Sequence, residues 1–135
     1  VTDTISSMIG SHPGEIGFDR DQLAAAIAAL VACSQACTAC ADACLSESSV
    51  AELTKCIRTD LDCADICATT SRVLSRHTEY DAEITRTLLE ACVTACRTCA
   101  EECERHAGMH DHCRVCGEAC RACEQACRGL LRSIG

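Results

Sequence analysis

One stepped pattern of cysteines runs through this chain and leaves few folds open to it. Cys33, Cys37, Cys40 and Cys44 are separated by four, three and four residues, and the same steps recur in Cys92, Cys96, Cys99, Cys103 and in Cys116, Cys120, Cys123, Cys127. A further copy, Cys56, Cys63 and Cys67, carries Asp60 where the others have their second cysteine. Steps of three and four keep side chains on one face of an α-helix. The stripes hold 15 of the 16 cysteines, and Cys113 extends the last of them outward by one step. Four thiol-lined helical seams therefore have to be buried against one another.

Other core material is scarce. The chain of 135 residues is 48% hydrophobic, but that figure counts the cysteines and many alanines, with one Phe, one Tyr and no Trp. Alanine, leucine, arginine and glutamate favour helix, and the β-branched and aromatic runs that build strands are few. The expected fold is all-α. A chain of this length makes one compact domain, residues 1–135. The net charge of −8, with basic residues scattered among acids, leaves no footprint for nucleic acid. No apolar run is read as long enough to cross a membrane, and the N-terminus lacks the basic-then-apolar pattern of a secretory signal. The expectation is a cytoplasmic chain.

Capping signals divide the chain into helices. Thr2 to Ile9 forms a short amphipathic turn or two, stopped by Gly10 and Pro13, and residues 1–17 are read as a docking arm. Asp19 with Gln22 opens a helix to about Ser46. Ser49 with Glu52 opens a second, ending near Arg76. Thr78 with Asp81 opens a third, reaching about His106, and the fourth runs from about Asp111 to Ser133. Short connections predict an antiparallel up-down four-helix bundle.

That topology gives the bundle two different ends. One gathers Leu23, Ala26, Leu30, Leu74, Leu88, Leu89, Leu130, Leu131 and Ile134 and is read as a hydrocarbon plug. At the other, the stripes extend to His106, Met109, His110, His112 and Cys113, and that end is read as the mouth. His12 and His77 lie away from it and are read as plain surface residues. Ile27, Val31, Leu53, Ile57, Leu61, Ile66, Ile84 and Val93 fall beside the stripes, with lateral packing between helices as their expected role.

Parallel cysteines on one rigid helix are poorly placed for disulfide torsions, which points to free thiols or metal thiolates. The tight cysteine run of bacterial ferredoxins is absent, as are the Glu-x-x-His pairs of di-iron bundles. Structural zinc needs one or two closed sites, not a lumen of thiols. Cu(I) accepts two or three soft thiolates and tolerates bridging sulfur, and a seam of this length has room for roughly 10–20 ions. A zinc or general heavy-metal thiolate buffer stays open as an alternative. A thiol redox protein built on pairs such as Cys37-Cys40 fits less well, because such pairs sit at helix N-termini beside a sheet. The Cu(I) reading involves no catalytic residue set.

The four stripes, together with the run His106-Ala-Gly-Met-His-Asp-His-Cys113, resemble the bacterial copper storage proteins, in particular their cytosolic branch. The resemblance spans the long helices from first to last. It implies a bundle filled with many Cu(I) ions, no enzymatic turnover, a homotetramer and exchange with copper chaperone or efflux proteins. Asp60 departs from a complete set of stripes. Oxygen ligand, hydrogen-bond partner and solvated surface charge are its open readings. An inward role without ligation is favoured, since a hard carboxylate is poorly matched to Cu(I), and there it could accept thiol protons as ions enter.

Overall fold

Asp19 ends the N-terminal connection by accepting the Gln22 backbone N–H at 2.9 Å, the capping bond its spacing predicts. The computed structural model describes residues 2–134. Among them the regular structure is five α-helices, α1 (Thr2–Gly10), α2 (Arg20–Leu45), α3 (Thr54–Leu74), α4 (Ala82–His106) and α5 (Asp111–Ile134), with a 3-10 turn at Val50–Glu52. The chain is all-α.

Two helix starts differ from the expectation. Ser49 makes no capping bond and Glu52 belongs to the 3-10 turn; α3 begins at Thr54 behind Leu53, which has no capping side chain. Leu53 is only 1% exposed, so burial of a leucine anchors this start where a hydroxyl was expected. For α4 the cap is Asp81 itself, which accepts the Ile84 N–H at 2.9 Å. α3 also stops at Leu74, after which Ser75 and Arg76 bond back to Arg72 and Val73 in a tightened last turn.

The long helices pack in a closed ring: α2 on α3, α3 on α4, α4 on α5, and α5 back on α2. Neighbours run in opposite senses. Along α3 and α4 the contacts pair Cys56 with Cys103, Cys63 with Cys96 and Cys67 with Cys92. Along α2 and α5 they pair Cys33 with Cys120, Cys37 with Cys116 and Cys40 with Cys113. Arg121 of α5 bonds both carboxylate oxygens of Glu104 on α4, at 2.8 and 2.9 Å, and so ties that pair together from outside.

α2 corrects the reading of the apolar runs. By length and composition it could cross a membrane, because alanine and cysteine raise its hydropathy without large side chains. Its apolar face is instead occupied by α3 and α5, and Leu23, Leu30, Cys33, Cys37 and Cys44 are fully enclosed.

Leu23, Ala26, Leu30, Leu89 and Leu130 are 0% exposed and Leu74 is 2%, which seals one end of the ring with hydrocarbon. Leu88, Leu131 and Ile134 are half-buried on its flank. Above this end lies the N-terminal segment. Ile9 and Phe18 are buried, and Phe18 meets Tyr80 edge to face with centroids 5.6 Å apart. His12 and His77 are not plain surface residues: both are half-buried, and their rings meet edge to face. Burial, then the neighbouring His12, holds the His77 imidazole below its usual pKa. Of the residues beside the stripes, Ile27 and Val93 are buried and Ile57 and Ile66 half-buried, whereas Val31, Leu61 and Ile84 are exposed.

Each enclosed leucine contributes about 1.5–3 kcal/mol of burial energy. Leu30→Ala is therefore expected to destabilise the reduced, metal-free protein by about 2–5 kcal/mol in denaturant titration. A loss under 1 kcal/mol would show that this end is not a packed plug.

Candidate metal centre

Each stripe delivers its thiols to the axis of the ring because the helices turn their cysteine faces inward. All 16 cysteines are buried and free. Within helices, Cys33 to Cys37 is 3.9 Å, Cys63 to Cys67 is 3.8 Å, and Cys92 to Cys96 and Cys99 to Cys103 are each 4.0 Å, sulfur to sulfur. Across helices, Cys37 to Cys120 and Cys67 to Cys96 are 3.6 Å, and Cys33 to Cys120 is 3.7 Å. Two sulfurs bound to one ion at about 2.3 Å lie about 4.0 Å apart in trigonal geometry and about 4.6 Å apart in linear geometry. The lumen already holds neighbouring sulfurs at or just inside the trigonal separation.

The possible ligand sets overlap. Cys33, Cys63, Cys67 and Cys96 have all their sulfurs within 4.8 Å of one another, and so do Cys33, Cys37, Cys63 and Cys120. Cys67, Cys92, Cys96 and Cys123 form another such set, as do Cys37, Cys99, Cys116 and Cys120. Cys33, Cys37, Cys63, Cys67, Cys96 and Cys120 thus each belong to two candidate sites, the arrangement that bridging thiolates need. Cys127 closes the series beside Cys92 at 3.9 Å, next to the leucine end.

Burial opposes ionisation at every one of these thiols, and S–H donation from neighbours offsets it at some. Neighbouring donors lower Cys33, Cys92 and Cys99, at the expense of Cys37, Cys67, Cys96 and Cys103, which are raised. The protons belong to the cluster more than to single residues. Toward the histidine end, Cys40 is lowered to about 6, chiefly by the Cys103 thiol, while burial pushes Cys44 up to about 12.

Asp60 is 0% exposed and sits among the thiols of α4 and α5. Its Oδ1 accepts from Cys99 at 3.0 Å, Cys116 at 3.4 Å and Cys103 at 3.5 Å, and Oδ2 lies 3.9 Å from Cys56. Burial, then the Cys116 and Cys99 thiols, raises its pKa far above the carboxylate range. That shift favours the protonated form of the carboxyl group.

At the far end from the leucines, Cys40, Cys44, Cys113 and His112 bring their ligand atoms within 4.8 Å of one another. His112 Nδ1 faces Cys40 at 3.4 Å and Cys113 at 3.6 Å, while its Nε2 lies 2.8 Å from Glu47. His110 stacks on His112 and reaches the same Glu47 oxygen at 3.1 Å. A carboxylate on Nε2 fixes the tautomer that leaves the Nδ1 lone pair toward the thiols. His106 turns onto Glu102 at 3.2 Å, and among the described residues no hydrogen bond joins it to a thiol. Met109 is 77% exposed at the tip of the α4–α5 connection.

Sequence reasoning missed Glu47 and misplaced Leu53. Both were findable, since one more step of three beyond Cys44 lands on Glu47, and one step of three before Cys56 lands on Leu53. Leu53 makes the α3 side of this end apolar, so the polar ligands gather on the α2 and α5 side.

Residues 19–132 match the family described as copper storage protein. The copper storage protein Ccsp of Streptomyces lividans, solved loaded with 10 copper equivalents, is 59% identical, with a TM-score of 0.94 over 96% of this chain and 98% of that one. A cytosolic copper storage protein from the same organism, solved during copper loading with five coppers, is 65% identical over 83% of this chain and 93% of that one, TM-score 0.82. Cu(I)-bound copper storage protein 3 of Bacillus subtilis is 36% identical over 79% of this chain and 95% of that one, TM-score 0.71. No curated protein sequence matches the chain.

The pairing at the histidine end is measurable without metal. Burial pulls the His112 imidazole down, but the Cys40 thiol and the Glu47 carboxylate more than offset it, and its pKa lies above the ordinary value. Glu47→Gln removes the counter-charge of the imidazolium. The His112 pKa is expected to fall in an NMR titration of the reduced protein, and an unchanged value would break the Glu47–His112 link.

Proposed function

This chain belongs to the copper storage protein family, and on that premise we propose that it stores and sequesters Cu(I) in the cytoplasm, many ions per chain. The observation that carries the reading is the continuous set of buried, overlapping thiol groups. A structural ion needs one such group, and a catalytic ion needs an open coordination position. Repeated enclosed sites serve capacity, and the reading includes no catalytic turnover.

The ligands in this reading are all of the stripe cysteines and Cys113. The fold is an antiparallel up-down four-helix bundle formed by α2 to α5, a single domain on which residues 1–17 dock as an arm. Ions enter at the histidine end. Met109 and His106 receive them at the exposed rim, and His110 and His112 pass them to Cys40, Cys44 and Cys113. Asp60 lines the lumen, accepts hydrogen bonds from the neighbouring thiols and does not ligate. The exposed Val31, Leu61 and Ile84 support a homotetramer. Copper chaperone or efflux proteins are the exchange partners.

Each thiol that becomes a ligand gives up its proton, so loading is weaker at lower pH. An ion bound only by the folded state also adds stability by mass action.

Anaerobic titration of the reduced protein against competing chelators tests the reading. Roughly 10–20 tightly held Cu(I) ions per chain, little uptake of Zn(II) and a melting temperature that climbs with loading are expected. A capacity of one or two ions would sink storage, and equal uptake of zinc would make the chain a general thiolate buffer. Asp60→Asn, isosteric with the neutral acid, is expected to keep the full Cu(I) capacity. Loss of an ion in that variant would make Asp60 a ligand.

A further inference from the structure

The arm and the α3–α4 connection bring ligating side chains together at the leucine end, outside the thiol lumen. His12 follows α1, and His77 follows α3. The two rings face one another with centroids 5.6 Å apart and planes at 90°. They line a cavity of about 250 Å³ with Ile5, Met8, Ile9 and Ile27. The His77 Nε2 is buried and, among the described residues, is the buried side-chain nitrogen or oxygen left without a hydrogen-bond partner. Leaving such an atom unpaired costs about 1–3 kcal/mol, so it calls for an occupant of the cavity.

The ring separation is compatible with one shared ion. An imidazole bound at about 2.0 Å holds its centroid roughly 3.2 Å from the metal, so two rings on one ion lie roughly 5–6 Å apart. The Gly14 N–H donates to His12 Nδ1 at 3.0 Å, and the Gly14 carbonyl oxygen lies 3.4 Å from the same nitrogen. An ion on Nε2 takes the other tautomer, in which Nδ1–H turns to that carbonyl and the bond from the Gly14 N–H is given up. The thioether of Met8 on the same cavity wall selects a soft ion.

We propose that His12 and His77, with Met8 at the rim of their shared cavity, form a discrete single-ion Cu(I) site that pins the arm to the leucine end. The choice of copper rests on the storage reading above. The site is separate from the lumen: the enclosed Leu23, Leu30, Leu74, Leu89 and Leu130 lie at that end, where the cysteine stripes give way to hydrocarbon. Two imidazoles and a thioether hold Cu(I) less tightly than a thiolate set does, so this site fills after the thiols. Its occupancy ties α1 to the connection between α3 and α4, which apart from the ion is left to apolar contacts and the ring pair.

The test uses the full chain, reduced and titrated anaerobically with Cu(I) alone. Thiolate charge-transfer absorption follows the lumen, and imidazole nitrogen and Met8 methyl NMR signals follow the arm. Once the absorption saturates, one further equivalent is expected to shift the Nε2 signals of His12 and His77 and to protect residues 2–10 from limited proteolysis. His77→Gln and, separately, His12→Ala are expected to abolish both effects while the absorption change stays that of the unaltered chain. Unmoved imidazole signals in a protein whose lumen fills would overturn the arm site and leave storage standing, with water as the occupant of the cavity. A lumen that takes up no Cu(I) would overturn the storage reading instead, and a shift of His12 and His77 under that condition would still support the arm site.

Discussion

Everything in this protein depends on thiols packed against thiols at van der Waals distance in a space that excludes water. A neutral thiol there is a small apolar group, and the seam behaves as a core. A thiolate there lacks solvent, and only neighbouring S–H donors or a cation can support it. The same seam is therefore a packed interior without metal and a ligand shell with it. One set of side chains serves both states, so filling requires protons to leave without any large rearrangement of the helices.

Such a core is thin by ordinary standards. Cysteine and alanine bury little hydrocarbon, so cohesion in the metal-free state falls to a few places. The leucine layer is one, and the anchoring of α3 by Leu53 is another. A third is the bidentate Arg121–Glu104 clamp between α4 and α5, which is reinforced by the nearly buried Glu124 held between Arg121 and Arg128. These features flank the lumen and do not intrude on it, which lets the interior be chemically uniform.

Periodicity made much of this legible. Steps of three and four residues located the helices, and extending the stripes placed the leucines, because helical geometry is local and leucine has one ordinary reason to continue a buried face. What escaped depends on contacts between segments. Glu47 stands beyond the end of α2, and only the approach of α5 gives it two imidazoles to hold. His12 and His77 are far apart in sequence and meet because α1 folds back over the bundle. Asp60 was placed on a stripe correctly, but its hydrogen bonds come from thiols supplied by α3, α4 and α5 together. Helix α2 was underestimated as an apolar segment because its hydropathy comes from alanine and cysteine, which do not read as a greasy run.

The leucine layer has one more consequence, for the order of events. If ions enter at the histidine end, as proposed, a lumen sealed by hydrocarbon at the other end is a stack and not a pool: the last ion in is the first out. On the proposed reading, with ions entering at the histidine end, Cys92 and Cys127 next to the seal exchange slowest and Cys40, Cys44 and Cys113 fastest. Total capacity and readily exchangeable capacity are then different quantities, set by different residues.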